Sequence, residues 1–289
     1  MSLKMIFIIV LLLVGISCVC VASDFDGIFA HKIGNTEIFT LVEAEREGTT
    51  DILIDAPQEA LKELIPESGF NRSTNAFLVV TPTKKILVDA GTGSGAIILE
   101  KLKQLGIDLH EIDTILLTHL HFDHFGGLAT DEKPNFPNAK IYLSKEEYRH
   151  FIEGEGKNQS AIDIFSLYKD NVETIEANEL DGEYKELFPG ITAIKNHGHT
   201  PGHTVFLIEN DGEKMIIAGD FLHVGLVQFP NPDISATYDI DSKEAAASRR
   251  AILDYAAKNK IPIGGMHIVN PGVGTVEGVG NGFRFISLK

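Results

Sequence analysis

The chain has 289 residues and a formal net charge of −16 at pH 7, with 44% hydrophobic and 23% charged residues. This balance is typical of a globular protein and excludes a disordered chain, a collagen-like repeat and a multi-span membrane protein. No run of Lys or Arg exceeds two residues. The basic stripe that a phosphate backbone requires is therefore missing, and we expect no nucleic-acid partner.

Residues 1–23 are predicted to form a signal peptide. Lys4 precedes an apolar run over residues 5–14, and small residues follow where a signal peptidase cleaves. Cleavage is expected after Ala22 or Ser23, which predicts an exported protein, either periplasmic or secreted.

Two other interpretations of this segment stay open. Residues 5–22 are close to the ~18 apolar residues of a membrane span, so an uncleaved anchor would place the protein at a membrane. Cys18 could instead mark a lipoprotein site. Because Cys18 and Cys20 are the only cysteines, the cleaved chain would have no thiolate nucleophile and no Cys metal ligand.

Residues 24–289 alternate predicted strands and helices. The predicted strands cover residues 34–43, 75–80, 85–89, 114–118, 191–195, 204–208, 214–218, 261–265 and 283–288, and the predicted helices cover residues 96–105, 145–152, 161–168 and 241–258. The chain has no internal repeat and no Ser/Gly/Pro-rich linker. We therefore expect one domain, in which residues 170–186 are the only candidate boundary.

Histidines carry the functional signal. Residues 119–124 read His-Leu-His-Phe-Asp-His and follow directly after a predicted buried strand. His119 and His121 point the same way in extended backbone, and Asp123 and His124 can reach the same place from a second direction. Two such clusters suit two metal ions. Imidazole and carboxylate ligands favour zinc, and manganese or iron less specifically.

Three further motifs place His or Asp at strand ends. Residues 197–203 read His-Gly-His-Thr-Pro-Gly-His between two predicted strands, and Asp220 and His267 each follow the end of another. A site built on a sheet scaffold collects its side chains at such positions.

Together the four motifs resemble those of the metallo-β-lactamase superfamily, over residue 75 to the C-terminus. The resemblance implies an αββα sandwich, a single α/β hydrolase domain over residues 24–289, and two divalent ions, most simply Zn²⁺, at the edge of the sheets. One ion would be held by His119, His121 and His199, the other by Asp123, His124 and His267, and Asp220 would bridge both.

Other residues near these motifs are given supporting roles. His199 occupies the ligand position of the third motif, and His203 is expected to be a buried residue that donates a hydrogen bond close to the ligands. Thr118 is expected to support the ligands in the same way. His197 could either support the ligands or lie on the surface.

The resemblance implies hydrolysis by a hydroxide held between the metal ions, which lower the pKa of bound water from ~15.7 towards ~7. Asp220 would position this hydroxide, and Asp123 could pass a proton to the leaving oxygen. Lactonases of the superfamily often carry Tyr at the position of His223. His223 could therefore contact the substrate carbonyl, or it could have a supporting or structural role.

The substrate is predicted from three later segments, residues 223–230, 248–252 and 266–274, which resemble methyl parathion hydrolase-like enzymes and related lactonases. They favour a small-molecule lactone or ester, such as an acyl-homoserine lactone or an aryl lactone. A phosphotriester or arylester hydrolase, a thioesterase, a β-lactamase and a non-catalytic metal-binding module stay open, and so does a homodimer. The apolar substrate pocket is expected to include Phe122, Phe125, Phe221, Leu222 and Phe229.

Overall fold

The structure, a computed structural model, describes residues 26–288. The predicted signal peptide and both cysteines lie outside the described residues. Within residues 26–288, no helix combines the length and the apolar character that crossing a membrane requires.

The described chain forms strands and helices that alternate along most of its length. The strands are β1 (Ile28–Ile33), β2 (Thr36–Glu47), β3 (Asn71–Val80), β4 (Lys85–Val88), β5 (Thr114–Leu116), β6 (Ala129–Thr130), β7 (Lys133–Pro134), β8 (Lys140–Ser144), β9 (Val172–Ile175), β10 (Ile191–Lys195), β11 (Thr204–Asn210), β12 (Glu213–Ile217), β13 (Ile263–Gly264), β14 (Val273–Val279) and β15 (Gly282–Ser287). The α-helices are α1 (Gln58–Leu64), α2 (Ile97–Gln104), α3 (Phe122–Phe125), α4 (Lys145–Tyr148), α5 (Gln159–Tyr168), α6 (Gly225–Gln228) and α7 (Ser242–Asn259).

Most strands belong to two mixed sheets. The first has seven strands in the order β1-β2-β3-β4-β5-β8-β9, and the second has six in the order β10-β11-β12-β13-β14-β15. In the first sheet β4, β5, β8 and β9 pair in parallel, whereas in the second only β12 and β13 do. Strands β6 and β7 form a separate small hairpin.

The two sheets pack face to face and helices cover their outer faces. Along β3, Phe77 and Val79 face a core shared with Phe206 and Ile217 of the second sheet. The alternate residues of β3 face a different core, in which α2 and α5 pack on the first sheet. Helix α7 covers the second sheet through residues such as Ile252. This is the predicted αββα sandwich.

The sequence predicted the strongly patterned elements closely. Helix α7 begins after Asp241, whose carboxylate accepts hydrogen bonds from the backbone N–H groups of Lys243 (3.1 Å) and Glu244 (3.0 Å). The predicted helix over residues 145–152 is helical throughout, but it changes from the α-helix α4 to a π-helix over Arg149–Glu153. Strands β1, β6, β7, β8, β9 and β14 were not predicted, and β9 lies inside the candidate boundary at residues 170–186.

Several chain turns meet at one edge of the sandwich. The loops after β4, β5, β12 and β13 reach this edge, together with the connection between β10 and β11. Asn75 of β3 fastens the two sheets there, since its Nδ2 donates to the carbonyl oxygens of Gly265 (3.1 Å) and Ile268 (2.8 Å). The edge is therefore a rigid support for side chains that these loops carry.

Candidate metal centre and active site

A first cluster of nitrogen atoms forms at this edge. Nε2 of His199 lies 3.2 Å from Nε2 of His119 and 3.0 Å from Nδ1 of His121. Oδ2 of Asp220 lies 3.5 Å from the same His199 nitrogen and 3.8 Å from Nε2 of His119. His119, His199 and Asp220 are buried. Four potential ligand atoms thus converge on one point.

A second cluster lies on the other side of the same carboxylate. Nε2 of His124 lies 3.2 Å from Oδ1 of Asp220 and 3.6 Å from a carboxylate oxygen of Asp123. Nε2 of His267 lies 2.9 Å from Oδ2 of Asp220 and 3.6 Å from Asp123. The two clusters therefore share Asp220, and the structure brings all seven sequence-predicted ligands together.

These residues fit divalent metal ions. Two atoms of the clusters, Nε2 of His124 and Oδ1 of Asp220, are buried and have no hydrogen-bond partner among the described residues. Ligands 2.0–2.1 Å from one zinc ion in a tetrahedral arrangement lie about 3.3 Å from each other, close to the observed spacing of the imidazole nitrogens. A shared cation explains why polar atoms without partners face one another inside the protein.

The ligand His124 is held from behind by an acidic residue that the sequence analysis did not assign. Oδ2 of Asp89 lies 2.6 Å from Nδ1 of His124, and the same carboxylate accepts hydrogen bonds from the backbone N–H (2.8 Å) and hydroxyl (2.7 Å) of Thr118. Thr118 thus lies beside the ligands: its hydroxyl oxygen is 3.1 Å from Nδ1 of His119, and it contacts His124 through Asp89. Asp89 follows β4 directly and precedes a glycine-rich loop, which was the only signal in the sequence.

The ligand His199 has an equivalent support in Asp239, also missed. Oδ1 of Asp239 lies 2.9 Å from Nδ1 of His199, and its other oxygen accepts from the backbone N–H of Ala236 (2.9 Å). The guanidinium of Arg249, which is 1% exposed, lies 3.4 Å from Asp239. Fixing one ring nitrogen orients the other towards the cluster.

His203 fixes the backbone of the shared carboxylate. It is fully buried, its Nε2 accepts a hydrogen bond from the backbone N–H of Asp220 (3.0 Å), and its Nδ1 lies 2.9 Å from the carbonyl oxygen of Asn196. Gly219 permits this close approach, because a Cβ there would lie 2.6 Å from Nε2 of His203 and φ is +54°.

A buried carboxyl group joins two of the ligand loops. Glu147 accepts hydrogen bonds from the backbone N–H groups of Leu120 (2.7 Å) and Gly202 (2.9 Å) and from the hydroxyl of Thr200 (2.7 Å). Burial raises the pKa of Glu147 to about 7 despite these donors. The residue belongs to the helical segment after β8, and nothing in its local pattern distinguished it from a surface glutamate.

The pKa values of the candidate ligands differ between the two clusters around Asp220. Burial alone would lower the pKa of His124, but Asp220, Asp123 and Asp89 together raise it well above its ordinary value. The pKa of His267 rises to about 9 for the same reason, through Asp220 and Asp123. Burial instead lowers the pKa of His121 to about 3. The carboxylates of Asp220 and Asp123 therefore favour protons on His124 and His267, whereas burial disfavours them on His121.

A cavity of about 370 Å³ opens onto this centre. It is lined by Ala44, Arg46, Arg72, Ser73, Thr74, Thr92, His121, Asp123, Asp220, His223, Tyr238 and His267. A second, more apolar cavity of about 470 Å³ shares His223 and His267 with the first and is lined by Phe229, Phe283 and Phe285 among others. A bound molecule could thus contact the metal ligands and an apolar surface together.

Comparison with known proteins identifies the family at this point. The metallo-beta-lactamase superfamily model matches residues 69–260, more than half of the chain. The chain belongs to the metallo-β-lactamase superfamily. This membership and the assembled ligand set make it a metal-dependent hydrolase.

Relatives within the superfamily include lactonases. A probable metallo-hydrolase of Methanocaldococcus jannaschii is 30% identical over 194 residues, which cover 64% of this chain and 86% of that protein. An N-acyl homoserine lactonase of Bacillus thuringiensis is 26% identical over 172 residues, covering 51% of this chain and 63% of the lactonase. The chain thus matches slightly less than two thirds of the length of that lactonase.

Two solved structures extend the similarity over 91% of the chain and 98% of each neighbour. The hydrolase AbOPH has a TM-score of 0.80 at 29% identity. The dizinc quorum-quenching lactonase AidC, solved with a product, an N-acyl-L-homoserine, has a TM-score of 0.81 at 28% identity.

The positions of the aromatic side chains in the structure correct part of the predicted substrate pocket. Phe125, Phe221 and Leu222 were expected to line it, but all three are at most 2% exposed and pack in the apolar cores. Phe229 is also buried, yet it lines the apolar cavity beside His223. Phe122 is 52% exposed and packs edge to face on Phe125, outside both cavities.

His223 lies between the two cavities, next to the shared carboxylate. Its Nε2 is 3.4 Å from Oδ2 of Asp220, and its ring stacks on that of His267 with centroids 5.0 Å apart. Nδ1 is buried and has no hydrogen-bond partner among residues 26–288. Burial lowers the pKa of His223 to about 4, so the ring is neutral at pH 7.

Proposed function

We propose that this protein is a dinuclear metal hydrolase that opens lactone rings, such as those of acyl-homoserine lactones or aryl lactones. The observation that carries the proposal is the arrangement around Asp220. Two ligand clusters share this carboxylate, and beside it two cavities, the second more apolar than the first, meet at His223 and His267. The lactonases among the relatives and structural neighbours support this substrate class.

The seven ligands would hold two divalent ions, most simply Zn²⁺. When bound, such ions supply a nucleophile from water at neutral pH and polarise the carbonyl oxygen of the substrate. In the ring opening, the water oxygen forms a bond to the lactone carbonyl carbon and the ring C–O bond breaks. The products are a carboxylate and an alcohol.

His223 is suited to stabilise charge on the substrate. Nε2 is directed at the centre, and a neutral ring that carries its proton there donates a hydrogen bond to the carbonyl oxygen as negative charge develops. Asp123 lines the same cavity and has a side chain that is 31% exposed, so it can pass a proton to the leaving ring oxygen. His223 would act on the carbonyl oxygen, and Asp123 would act on the ring oxygen, of the same ester group.

The apolar cavity is suited to the acyl chain or aromatic ring of the substrate. Phe229 and Phe285 stack there with ring centroids 4.7 Å apart, and Val224 and Ile268 add aliphatic surface. A ligand that removes such surface from water gains about 25 cal/mol per Å² of apolar area. This cavity would hold an apolar part of the substrate.

The proposal is tested by measuring kcat/KM of the zinc-replete protein on three substrates side by side. These are an acyl-homoserine lactone, an aryl lactone and a methyl phosphotriester, and metal content is determined on the same samples. We expect kcat/KM on one of the two lactones to exceed kcat/KM on the phosphotriester by at least about a factor of a hundred. A leading phosphotriester would overturn the lactonase assignment, and background rates on all three in metal-replete protein would overturn it as well.

A further inference from the structure

Two arginines face each other at the mouth of the catalytic cavity. Arg46 of β2 and Arg72 of β3 are direct partners in the antiparallel register, and the next pair on the same face is Ala44 and Thr74. All four residues line the cavity that holds Asp220. The guanidinium groups and the metal centre therefore share one space.

No carboxylate in the described part of the chain balances the charge of this arginine pair. Among residues 26–288, neither Arg46 nor Arg72 has a carboxylate within 4.0 Å, whereas Arg249, Arg250 and Arg284 each contact one. Like charges directly opposite on neighbouring strands destabilise a sheet. Arg46 is exposed and Arg72 is half-buried, so both guanidinium groups are accessible, and an anion bound between them would remove their mutual repulsion.

The charge of this cavity also differs from that of the protein as a whole. The chain carries a net charge of −16, and the carboxylates in this cavity are the metal ligands Asp123 and Asp220. Two divalent cations outweigh the charge of these two carboxylates, and the arginines add to the excess. The cavity of the metal-loaded protein is then locally positive and attracts anions.

We propose that the lactone or ester substrate also carries a carboxylate group. Arg46 and Arg72 bind this carboxylate while the scissile carbonyl lies at Asp220. The proposal rests on the proposed hydrolase function and narrows its substrate class. A guanidinium presents parallel N–H donors that match a carboxylate, and such charge-assisted hydrogen bonds are stronger than neutral ones. The anionic group would be at the end of the substrate remote from the bond that breaks.

Matched substrates test this inference. N-glutaryl- and N-pentanoyl-homoserine lactone have acyl chains of equal length, but only the first ends in a carboxylate, and the succinyl and adipoyl analogues cover other distances. We expect kcat/KM of the best anionic lactone to exceed that of its neutral counterpart at least about tenfold. This ratio should fall towards one in Arg46→Gln and Arg72→Gln, and with added salt.

Lys103→Gln is the matched control, since it removes one positive charge from the exposed face of α2, away from the cavity. The Lys103→Gln variant should show the same ratio of kcat/KM between the anionic and the neutral lactone as the wild-type protein. A ratio near one in the unchanged protein, or one that the arginine variants leave in place, would overturn the proposal.

A binding measurement separates this proposal from the proposed function. Glutarate and pentanoate each offer one carboxylate to the metal centre, but only glutarate has a second one. Calorimetry on the zinc-loaded protein should show tighter binding of glutarate, and Arg46→Gln/Arg72→Gln should remove the difference. Preferential glutarate binding without lactone turnover would overturn only the lactonase assignment, whereas lactone turnover without that preference would overturn only the anion site.

Discussion

Oδ2 of Asp89 lies 2.6 Å from Nδ1 of His124, and both side chains are fully buried. Because Thr118 donates two hydrogen bonds to the same carboxylate, Asp89 is fixed, and it in turn fixes the ring of His124. The remaining nitrogen, Nε2, then points at Asp220. A residue outside the ligand set thus orients one of the ligands.

Replacing this support should weaken metal binding without removing a ligand. We expect Asp89→Asn to lower zinc affinity by about 10- to 100-fold, because the amide does not stabilise the required orientation and tautomer of His124 as a carboxylate does. Competition with a chromogenic chelator measures the change. Asp233→Asn is the control, since Asp233 pairs with Arg250 on the surface. Equal zinc affinities in the two variants would contradict the role of Asp89.

Metal binding should depend steeply on pH. The pKa of His267 is raised to about 9 and that of His124 well above its ordinary value. With a pKa of about 9, His267 is protonated at neutral pH before a metal binds, and it must lose that proton to become a ligand. The zinc association constant should rise at least about 10-fold per pH unit near neutrality. Chelator competition at pH 6, 7 and 8 checks this, and a constant affinity would contradict it.

Glu147 should make folding stability depend on pH. Its pKa is about 7 in the folded protein, above the value near 4.3 of an unfolded glutamate. The folded chain then binds the extra proton between these values, so the stabilisation is complete below pH 4 and is lost as the pH rises to 7.

We expect Glu147→Gln to reduce the difference in unfolding free energy between pH 5 and pH 8, measured by denaturation in the presence of a chelator. Glu173→Gln is the control, because Glu173 contacts Lys140 at the surface. A pH dependence that Glu147→Gln leaves intact would show that another group causes it.

His223→Ala should separate catalysis from metal binding. We expect kcat to fall by about 100- to 1,000-fold, the range for loss of one donor that stabilises developing charge, with two metal equivalents retained. Metal analysis and lactone kinetics on the same preparation check this. Loss of metal together with activity would show that His223 supports the centre instead of contacting the substrate.

The seven ligands could be predicted from sequence because they occur in short motifs at strand ends, where residue type and spacing define the chemistry. Asp89, Asp239 and Glu147 could not. Each is a single acidic residue, and the ligands or ligand loops that it contacts lie 27 to 55 positions away in the chain. Only the tertiary fold brings these carboxyl groups to the ligands, as when the parallel pairing of β4 and β5 places Asp89 beside His124.

Some aromatic residues were assigned to the substrate pocket although the structure places them elsewhere. Phe122 and Phe125 were both predicted to line the pocket, Phe122 because it lies between ligands in the sequence. The short helix α3 directs Phe125 into the core and leaves Phe122 exposed. Proximity in sequence does not determine which side of a short helix faces a cavity. Arg46 and Arg72 reach the cavity only through the register of β2 and β3, which the sequence analysis did not establish.

The central claim is that two metal ions share Asp220 and that both are needed for lactone hydrolysis. Adding Zn²⁺ stepwise to the metal-free protein while recording lactone turnover and bound metal tests it most directly. We predict that activity rises until two equivalents are bound and then stays constant. Full activity at one equivalent, or activity that does not depend on bound metal, would contradict the claim.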